Sequence, residues 1–347
     1  MKSSSTEDTK PESQPSIRTT QRSGLSIDTR LIKAFIKPLK RLLSKPPSDH
    51  SKNFSEEISF PTPIQKALGI EERTVHNIRI YDLSSKKAKT TSQNEHSKRI
   101  LYFAGGSWQM PPQSAHFGFL KRLVKDLPSN TVISVVSHPL ALNFPAPKAF
   151  PALLDLYNDV MAHALEHNES VIIAGDSSGG NIALCLVLEA LRQQPDCPAP
   201  EALVLISPTM DLTYSNSAIE AVARVDPVLI LEYSKKFGKE WSGDWDPATD
   251  ARISPIRATN LVTLRDRGIH VHCVFGTHDI LSPDALLFRD KLIENGVQGE
   301  WLVWEGMFHC WILMAGFATF NSELKEGWEW VLDRLKNPKM ESISSKA

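Results

Sequence analysis

Residues 171–180, VIIAGDSSGG, carry the chain from four apolar residues directly into a turn that contains an acid, two serines and three glycines. The apolar run predicts a buried strand, and the stretch NIALCLVLEAL after the glycines predicts a helix. A turn of this composition has two interpretations. It is either a plain loop of common turn formers, or a tight corner that holds Ser177 for nucleophilic attack. The glycines favour the corner, because such a turn leaves no room for side chains beside the nucleophile.

Short apolar strands alternate with helices along most of the chain. The candidate strands are HNIRIYDL, RILYFAG, TVISVVS, VIIAG, ALVLIS, IHVHCVFG and EWLVWEG, and helical patterns lie between most of them. Fully apolar strands separated by helices predict a mostly parallel central sheet that is flanked by helices on both faces. We therefore expect one α/β domain over residues 76–338.

The two ends of the chain differ from this core. Residues 1–23 are rich in Ser, Thr, Lys, Glu and Pro, which predicts a disordered tail, and residues 339–347 are expected to form a flexible tail. Residues 24–75 predict a helical extension. Within it, apolar residues recur at helical spacing among lysines and arginines: Leu31, Ile32, Phe35, Ile36, Leu39, Leu42 and Leu43. Such a basic amphipathic helix either packs on the domain or makes a peripheral membrane contact through residues 31–45.

Composition narrows the class of protein. The chain has 347 residues, 41% hydrophobic and 23% charged, with a formal net charge of −1, and so gives no indication of nucleic-acid binding. The four cysteines are scattered without a CxxC pair, which argues against a zinc site or disulfide scaffold. No apolar run is long enough to span a membrane, and no secretory signal is apparent. We expect a cytoplasmic protein without metal or cofactor.

A nucleophilic serine needs a general base and a carboxylate that orients this base. Asp279 follows the strand IHVHCVFG, and His309 follows the strand EWLVWEG. Together with Ser177 they occur in the order Ser, Asp, His at the carboxyl ends of parallel strands, as a nucleophile elbow of the G-x-S-x-G type requires. Asp284 is a rival acid, but it falls in the first turn of the next helix, where a carboxylate suits the helix dipole.

Three histidines near this strand have other interpretations. His278, beside Asp279, is interpreted as a loop histidine. His270 and His272 alternate onto one face of the strand and could form a metal-binding pair. Since no third ligand lies nearby in the sequence, partly buried structural histidines are favoured.

The tetrahedral intermediate of such a reaction also needs backbone donors for its oxyanion. The N–H of Ser178, directly after the nucleophile, is one candidate. The segment YFAGGSW, in which Gly105 and Gly106 allow close backbone approach, is the other. Its alternative interpretation is a glycine-rich turn.

The segments GDSSGG, AGGSW, DILSPDA and FHCW together resemble the hormone-sensitive-lipase-like group of α/β-hydrolases, whose usual elbow is GDSAGG. The resemblance extends over roughly residues 60–336. Further stretches, such as WSGDWDPATDARISP, resemble fungal members of the group, which include hydrolases of secondary-metabolite pathways and relatives of steryl acetyl hydrolase. It implies the α/β-hydrolase fold with a helical cap, built from the N-terminal helices and an insert around residues 211–250.

The resemblance also implies roles for individual residues. Ser177 would be the nucleophile, Asp279 the orienting acid and His309 the base. The oxyanion donors would be the N–H groups of Gly106, Ser107 and Ser178.

The chain departs from the group at two places. The usual HGGG reads Ala104-Gly105-Gly106-Ser107, which lacks the histidine and the third glycine. The usual Tyr-Arg-Leu-Ala-Pro segment is replaced by SHPLA at residues 137–141. Both departures bear on specificity more than on the class of reaction.

The leading hypothesis is hydrolysis of a small-molecule ester through an acyl-enzyme, and the resemblance implies a small acyl group. Amide or formamide hydrolysis would use the same triad. A non-hydrolytic biosynthetic or ligand-binding homologue is the third hypothesis, against which the presence of His309 argues. A trypsin-like protease is rejected, because its triad occurs in the order His, Asp, Ser on an antiparallel barrel. Trp108 and Phe308, next to the catalytic loops, are candidate pocket residues.

Overall fold

The computed structural model describes residues 15–43, 52–86, 97–317 and 321–339. The strands in these ranges are β1 (Ile17–Arg22), β2 (Leu68–Val75), β3 (Ile78–Ser85), β4 (Lys98–Phe103), β5 (Thr131–Val136), β6 (Ser170–Asp176), β7 (Ala202–Ile206), β8 (His270–His278) and β9 (Gly299–Phe308). The helices are α1 (Ile27–Leu43), α2 (Thr62–Ala67), α3 (Ser114–Asp126), α4 (Ala146–Glu166), α5 (Ser177–Gln193), α6 (Ala218–Ala223), α7 (Leu231–Ser242), α8 (Val262–Asp266), α9 (Ser282–Glu294) and α10 (Ser322–Lys336). The expected tails at residues 1–14 and 340–347 lie outside the described residues.

The strands form one sheet in the order β1-β9-β8-β7-β6-β4-β5-β3-β2. All neighbours pair in parallel except β3, which is antiparallel to both β2 and β5. Helices α4, α5 and α9 bury one large apolar cluster, and α3 and α10 bury a second one. The predicted fold class, a mostly parallel sheet flanked by helices, is confirmed.

Two segments differ from the sequence prediction. Residues 17–22 were expected to be disordered but form β1 beside β9, because Ile17 is a single buried anchor in an otherwise polar segment. Residues 68–75 were assigned to the helical extension but form β2 in a hairpin with β3. Its turn residues, His76 and Asn77, both have positive φ, as the tight turn of a hairpin requires.

Helix α1 continues through Pro38, although proline inside a helix usually kinks or ends it. Ile32 and Ile36 pack against the core on its inner side. The packing interpretation therefore applies to one face of this helix, and the opposite face is exposed. No helix in the described ranges has the length and apolar character that crossing a bilayer requires.

The sheet sets the place of the candidate site. Strands β4, β6, β8 and β9 run in the same direction, so the loops that follow them meet at one edge. The first residues after these strands are Ala104, Ser177, Asp279 and His309, of which Ser177 also begins α5.

Candidate active site

Ser177 lies on a strained turn between β6 and α5. Its φ is +52°, in the left-handed region that non-glycine residues rarely adopt. A Cβ on Gly175 would lie 2.7 Å from the carbonyl carbon of Gly179 and 2.8 Å from the oxygen of Phe103. The turn is therefore closed so tightly against β4 that glycine is required on both sides of the serine.

The loops after β6, β8 and β9 bring together Ser177, Asp279 and His309. Ser177 Oγ lies 3.0 Å from His309 Nε2, and His309 Nδ1 lies 2.8 Å from Asp279 Oδ2. The other oxygen of Asp279 accepts a hydrogen bond from the N–H of Leu281 at 3.0 Å, and the carboxylate is fully buried. A proton on Nδ1 of His309 is held by Asp279, which leaves Nε2 free to accept the serine proton.

The electrostatics of His309 suit a group that becomes charged during a reaction. Burial is the largest single influence and lowers the pKa of the imidazole. The charge of Asp279, the neighbouring Cys310 and the hydrogen bonds to both together raise this pKa, and the net direction is upward. Cys310 Sγ lies 3.4 Å from His309 Nε2. Burial raises the pKa of this thiol to about 11, so at neutral pH Cys310 is a neutral neighbour of the imidazole.

The rival acid and the adjacent histidine have other partners. Asp284 lies in the first turn of α9 and accepts a hydrogen bond from Asn216 Nδ2 at 2.9 Å. Burial raises its pKa to about 6. His278 Nδ1 lies 2.8 Å from Lys33 Nζ on α1. Neither side chain is among the hydrogen-bond partners of His309.

The alternating histidines of β8 lie at the far end of this strand. His272 Nε2 donates to the carbonyl of Pro338 at 2.7 Å, and its Nδ1 accepts from the N–H of Glu300 at 3.1 Å. Burial lowers the pKa of His272 to about 4, so the ring is neutral. Among the residues that the structure describes, no group of three His, Cys, Asp or Glu is placed to hold a metal.

The candidate oxyanion loop follows β4. Gly106, Ser107 and Trp108 have φ of +137°, +55° and +59°, so Ser107 adopts the conformation that the missing third glycine would favour. Ser178 Oγ accepts a hydrogen bond from the N–H of Trp108 at 3.2 Å. The hydroxyl of Ser178, to which sequence reasoning gave no role, therefore connects this loop to the turn that holds Ser177.

Asp176, in the elbow itself, braces the same loop. Its Oδ1 accepts hydrogen bonds from Tyr102 at 2.6 Å and from the N–H of Gly105 at 3.1 Å, and His116 Nε2 lies 3.1 Å from its Oδ2. Burial alone raises the pKa of Asp176, but His116 and these hydrogen bonds lower it overall. Sequence reasoning missed this network, although Asp176 is part of the GDSSGG motif.

The two departures from the family pattern contact each other. His138 Nε2, from the replaced segment, lies 3.2 Å from the carbonyl oxygen of Ala104, where the usual histidine is absent. The N–H of Ala141 donates to the carbonyl of Trp108 at 2.7 Å. Residues 137–141 thus support the loop through contacts at Ala104 and Trp108.

A pocket of about 180 Å³ opens beside Ser177 and His309. Its wall comes mainly from the 211–250 insert and the oxyanion loop: Val228, Leu229, Ile230, Tyr233, Phe237 and Met110. Trp108 lines a smaller adjoining cavity and stacks on Trp241 with ring centroids 6.0 Å apart. Phe308 was expected to line the pocket, but it is buried in the core, because it packs in the same apolar cluster as Leu302 and Trp304 of β9.

Asp226, another residue that sequence reasoning missed, lies between the pocket wall and the loop of Asp279. This buried carboxylate accepts hydrogen bonds from the N–H groups of Val228 at 2.7 Å, Leu229 at 2.9 Å and Ile280 at 3.0 Å. Burial and the charge of Asp279 raise its pKa to about 6. The sequence feature that could have indicated this buried carboxylate is a single acid within the largely apolar stretch VARVDPVLIL.

Comparison with known proteins agrees with this architecture. The family described as alpha/beta hydrolase fold matches residues 100–313. An esterase of Acinetobacter venetianus is 29% identical over 244 residues, which are 70% of this chain and 75% of the relative. The carboxylesterase/phospholipase LipF of Mycobacterium tuberculosis is 28% identical over 224 residues, which are 62% of this chain and 56% of that protein.

Solved structures show the same fold. An esterase from the bacterial hormone-sensitive lipase family superimposes with a TM-score of 0.69 at 18% identity, covering 90% of this chain and 98% of the other. An esterase/lipase from an uncultured bacterium superimposes with a TM-score of 0.64 at 21% identity, covering 86% and 97%. The chain belongs to the alpha/beta hydrolase fold family. Within this family it is an esterase-like hydrolase.

Proposed function

We propose that this protein hydrolyses carboxylic esters with a small acyl group, with Ser177 as nucleophile, His309 as general base and acid, and Asp279 as the orienting acid. The observation that carries the proposal is the continuous contact from Ser177 Oγ to His309 at 3.0 Å and from His309 to Asp279 at 2.8 Å. The strained φ of Ser177 supports it, since strain of this kind is characteristic of nucleophile elbows.

In the first half of the reaction, Ser177 Oγ forms a bond to the ester carbonyl carbon and passes its proton to Nε2 of His309. The carbonyl oxygen becomes an oxyanion. When the tetrahedral intermediate collapses, the bond from carbon to the alkoxy oxygen breaks. The leaving alcohol takes the proton from His309, and the acyl group stays on Ser177.

In the second half, water attacks the acyl-enzyme and gives a proton to His309. Collapse of this second intermediate breaks the bond from the acyl carbon to Ser177 Oγ, which recovers the proton from His309. The products are the carboxylic acid and the free enzyme. Asp279 keeps the imidazole in the tautomer that both halves require.

The N–H groups of Gly106, Ser107 and Ser178 would stabilise the oxyanion. The loss of one such donor typically lowers kcat by roughly 10²- to 10³-fold. The N-terminal end of α5 adds a favourable partial charge at the same place. The hydrogen bond from Trp108 to Ser178 keeps the loop and the elbow at a fixed separation.

The pocket supports the choice of acyl group. A volume of about 180 Å³ is below the range of roughly 300–1,000 Å³ that sites for drug-sized ligands occupy. Such a pocket fits a short acyl chain, with a larger alcohol portion outside it. The resemblance to fungal hydrolases of secondary-metabolite pathways favours a bulky apolar alcohol.

The test compares p-nitrophenyl acetate with p-nitroacetanilide, its amide analogue, for the wild type and Ser177→Ala. We expect ester turnover that the variant loses and much slower amide turnover. Ser215→Ala, a control at an exposed serine of the insert, should keep the wild-type rate. Equal rates for Ser177→Ala and the wild type would contradict the proposal, and faster amide turnover would replace the ester by an amide.

A further inference from the structure

Helix α1 exposes an apolar stripe on the side that faces away from the domain. Its members share i, i+4 or nearby helical spacing and large exposed side chains: Ile27 (76% exposed), Leu31 (63%), Phe35 (73%) and Leu42 (71%). With Leu39, α1 carries five of the ten exposed large apolar side chains in the described part of the chain. Isolated exposed apolar residues are ordinary, but such a continuous row on one helix marks an interaction surface.

Cations border this stripe. Arg30, Lys37 and Arg41 are exposed, and no carboxylate in the described ranges forms an ion pair with any of them. Arg30 Nε donates to the carbonyl of Leu25 at 3.1 Å and Lys37 Nζ to the carbonyl of Arg224 at 3.3 Å, both in exposed positions. Asp28 is the sole acid on α1, near its N-terminus. An apolar row with a basic border is the pattern of helices that lie in the interface of an anionic bilayer.

The inner side of α1 is fixed to the domain, so the orientation of the stripe is set. Lys40 Nζ donates to the carbonyl of Asp226 at 2.8 Å, and Lys33 Nζ donates to the carbonyl of Gly306. Residues 228–230, which follow Asp226 after Pro227, form part of the pocket wall. The helix therefore holds its apolar face outward while it packs on the segment that leads into the pocket.

The composition of the stripe favours lipid over a protein partner. The centres of protein interfaces are depleted in lysine, and their binding energy is concentrated in Trp, Tyr and Arg. Here the row contains Ile, Leu and Phe but neither Trp nor Tyr, and the cations lie along one edge of it. Aliphatic side chains enter the acyl region without specific partners, while lysine and arginine contact headgroup phosphates.

We propose that the outer face of α1 docks this protein on an anionic lipid surface, with Ile27, Leu31, Phe35 and Leu42 inserted and Arg30, Lys37 and Arg41 on the headgroups. Docking is peripheral and reversible. It places the pocket wall beside the bilayer, from which an apolar substrate would be drawn. The geometry of α1 alone carries the proposal, which does not depend on the proposed catalytic role of Ser177.

Cosedimentation of the full chain with phosphatidylcholine vesicles, with and without phosphatidylserine, tests the proposal. We expect binding that requires phosphatidylserine and weakens with salt. Leu31→Gln/Phe35→Gln should reduce partitioning of the protein onto vesicles at least roughly tenfold, because two large apolar side chains are no longer transferred from water into the bilayer. Lys37→Gln/Arg41→Gln should reduce it roughly 20- to 30-fold, since each cation near the surface contributes on the order of fivefold.

Matched variants separate this surface from general effects. Leu165→Gln/Leu287→Gln removes two exposed leucines from α4 and α9 and should bind vesicles like the wild type. Ser177→Ala should also bind like the wild type, so that loss of catalysis and loss of docking are distinguished. Light scattering then compares the oligomeric state of the wild type in solution with that of Leu31→Gln/Phe35→Gln.

Three results would overturn the proposal. The first is a wild type that does not bind phosphatidylserine vesicles. The second is equal binding by the wild type and Leu31→Gln/Phe35→Gln. The third is a wild-type oligomer that this double variant converts to a monomer, which would assign the stripe to contact between copies of the chain.

Discussion

The carboxylate of Asp226 accepts a hydrogen bond from the backbone N–H of Ile280 at 3.0 Å, and Ile280 directly follows Asp279. The same carboxylate holds the N–H groups of Val228 and Leu229 in the pocket wall. One buried side chain therefore fixes both the loop that holds Asp279 and part of the pocket wall. A disturbance at Asp226 should affect binding and turnover together.

Asp226→Asn tests this connection. The amide retains one acceptor oxygen, so its NH₂ group must face at least one of the three backbone donors, and a buried hydrogen bond is lost. We expect KM to rise and kcat to fall, with kcat/KM reduced by roughly tenfold for a loss on the order of 1–3 kcal/mol. Asp244→Asn, at an exposed position of the same insert, is the control. A change in kcat/KM of similar size in both variants would refute the anchoring role.

The acidic limb of the pH profile tests the electrostatics of His309. The imidazole acts as a base only when it is unprotonated, so activity appears as the pH rises through its pKa. Asp279 raises this pKa, and Asp279→Asn should therefore move the acidic limb of kcat/KM to lower pH. The maximal rate should fall by roughly 10³- to 10⁴-fold, because the tautomer is no longer fixed. A limb that stays in place or moves to higher pH would contradict the assignment.

The oxyanion loop is tested at two adjacent positions. A Cβ on Gly106 would lie 2.7 Å from the carbonyl oxygen of Met110, and its φ of +137° is unsuited to alanine. Gly106→Ala should displace the loop donors and reduce kcat by roughly 10²- to 10³-fold. Ser107→Gly keeps the backbone N–H and relieves a positive φ, so we expect activity close to that of the wild type. A large loss in Ser107→Gly would instead show that the hydroxyl is required.

The length of acyl chain that the pocket accepts is tested at Leu229. This side chain lies between the main pocket and the smaller cavity beside Trp108. Leu229→Ala should join the two spaces and raise the ratio of kcat/KM for p-nitrophenyl octanoate over butyrate by roughly tenfold. Leu287→Ala, at an exposed leucine of α9, should leave this ratio unchanged. An unchanged ratio in Leu229→Ala would place the acyl chain elsewhere.

Ser177, Asp279 and His309 were predictable as a group because each follows an apolar strand, and parallel strands bring their carboxyl ends to one edge. The local sequence pattern was sufficient to predict that these three residues lie together, and the structure added the distances between their atoms. The elbow glycines were predictable for the same reason, since the backbone spacing of a strand-turn-helix corner is generic.

Other features depend on contacts that no local pattern encodes. Asp226 and Ile280 are 54 residues apart, and His116 and Asp176 are 60 residues apart. Ile17 is the only buried side chain of β1, and the β2–β3 turn uses His76-Asn77 instead of a typical Asn-Gly pair. Phe308 was misplaced because its position next to His309 in the sequence does not set the direction of its side chain, which packs with Leu302 and Trp304 in the core.

Covalent reaction of the purified protein with a fluorophosphonate, followed by mass spectrometry of the peptides, tests most directly whether Ser177 is an activated nucleophile. We expect one stoichiometric adduct on Ser177 and none on the adjacent Ser178. His309→Ala, in which the base is absent, should react far more slowly. A folded wild type that acquires no adduct, or acquires it on another residue, would contradict the claim that Ser177 is an activated nucleophile.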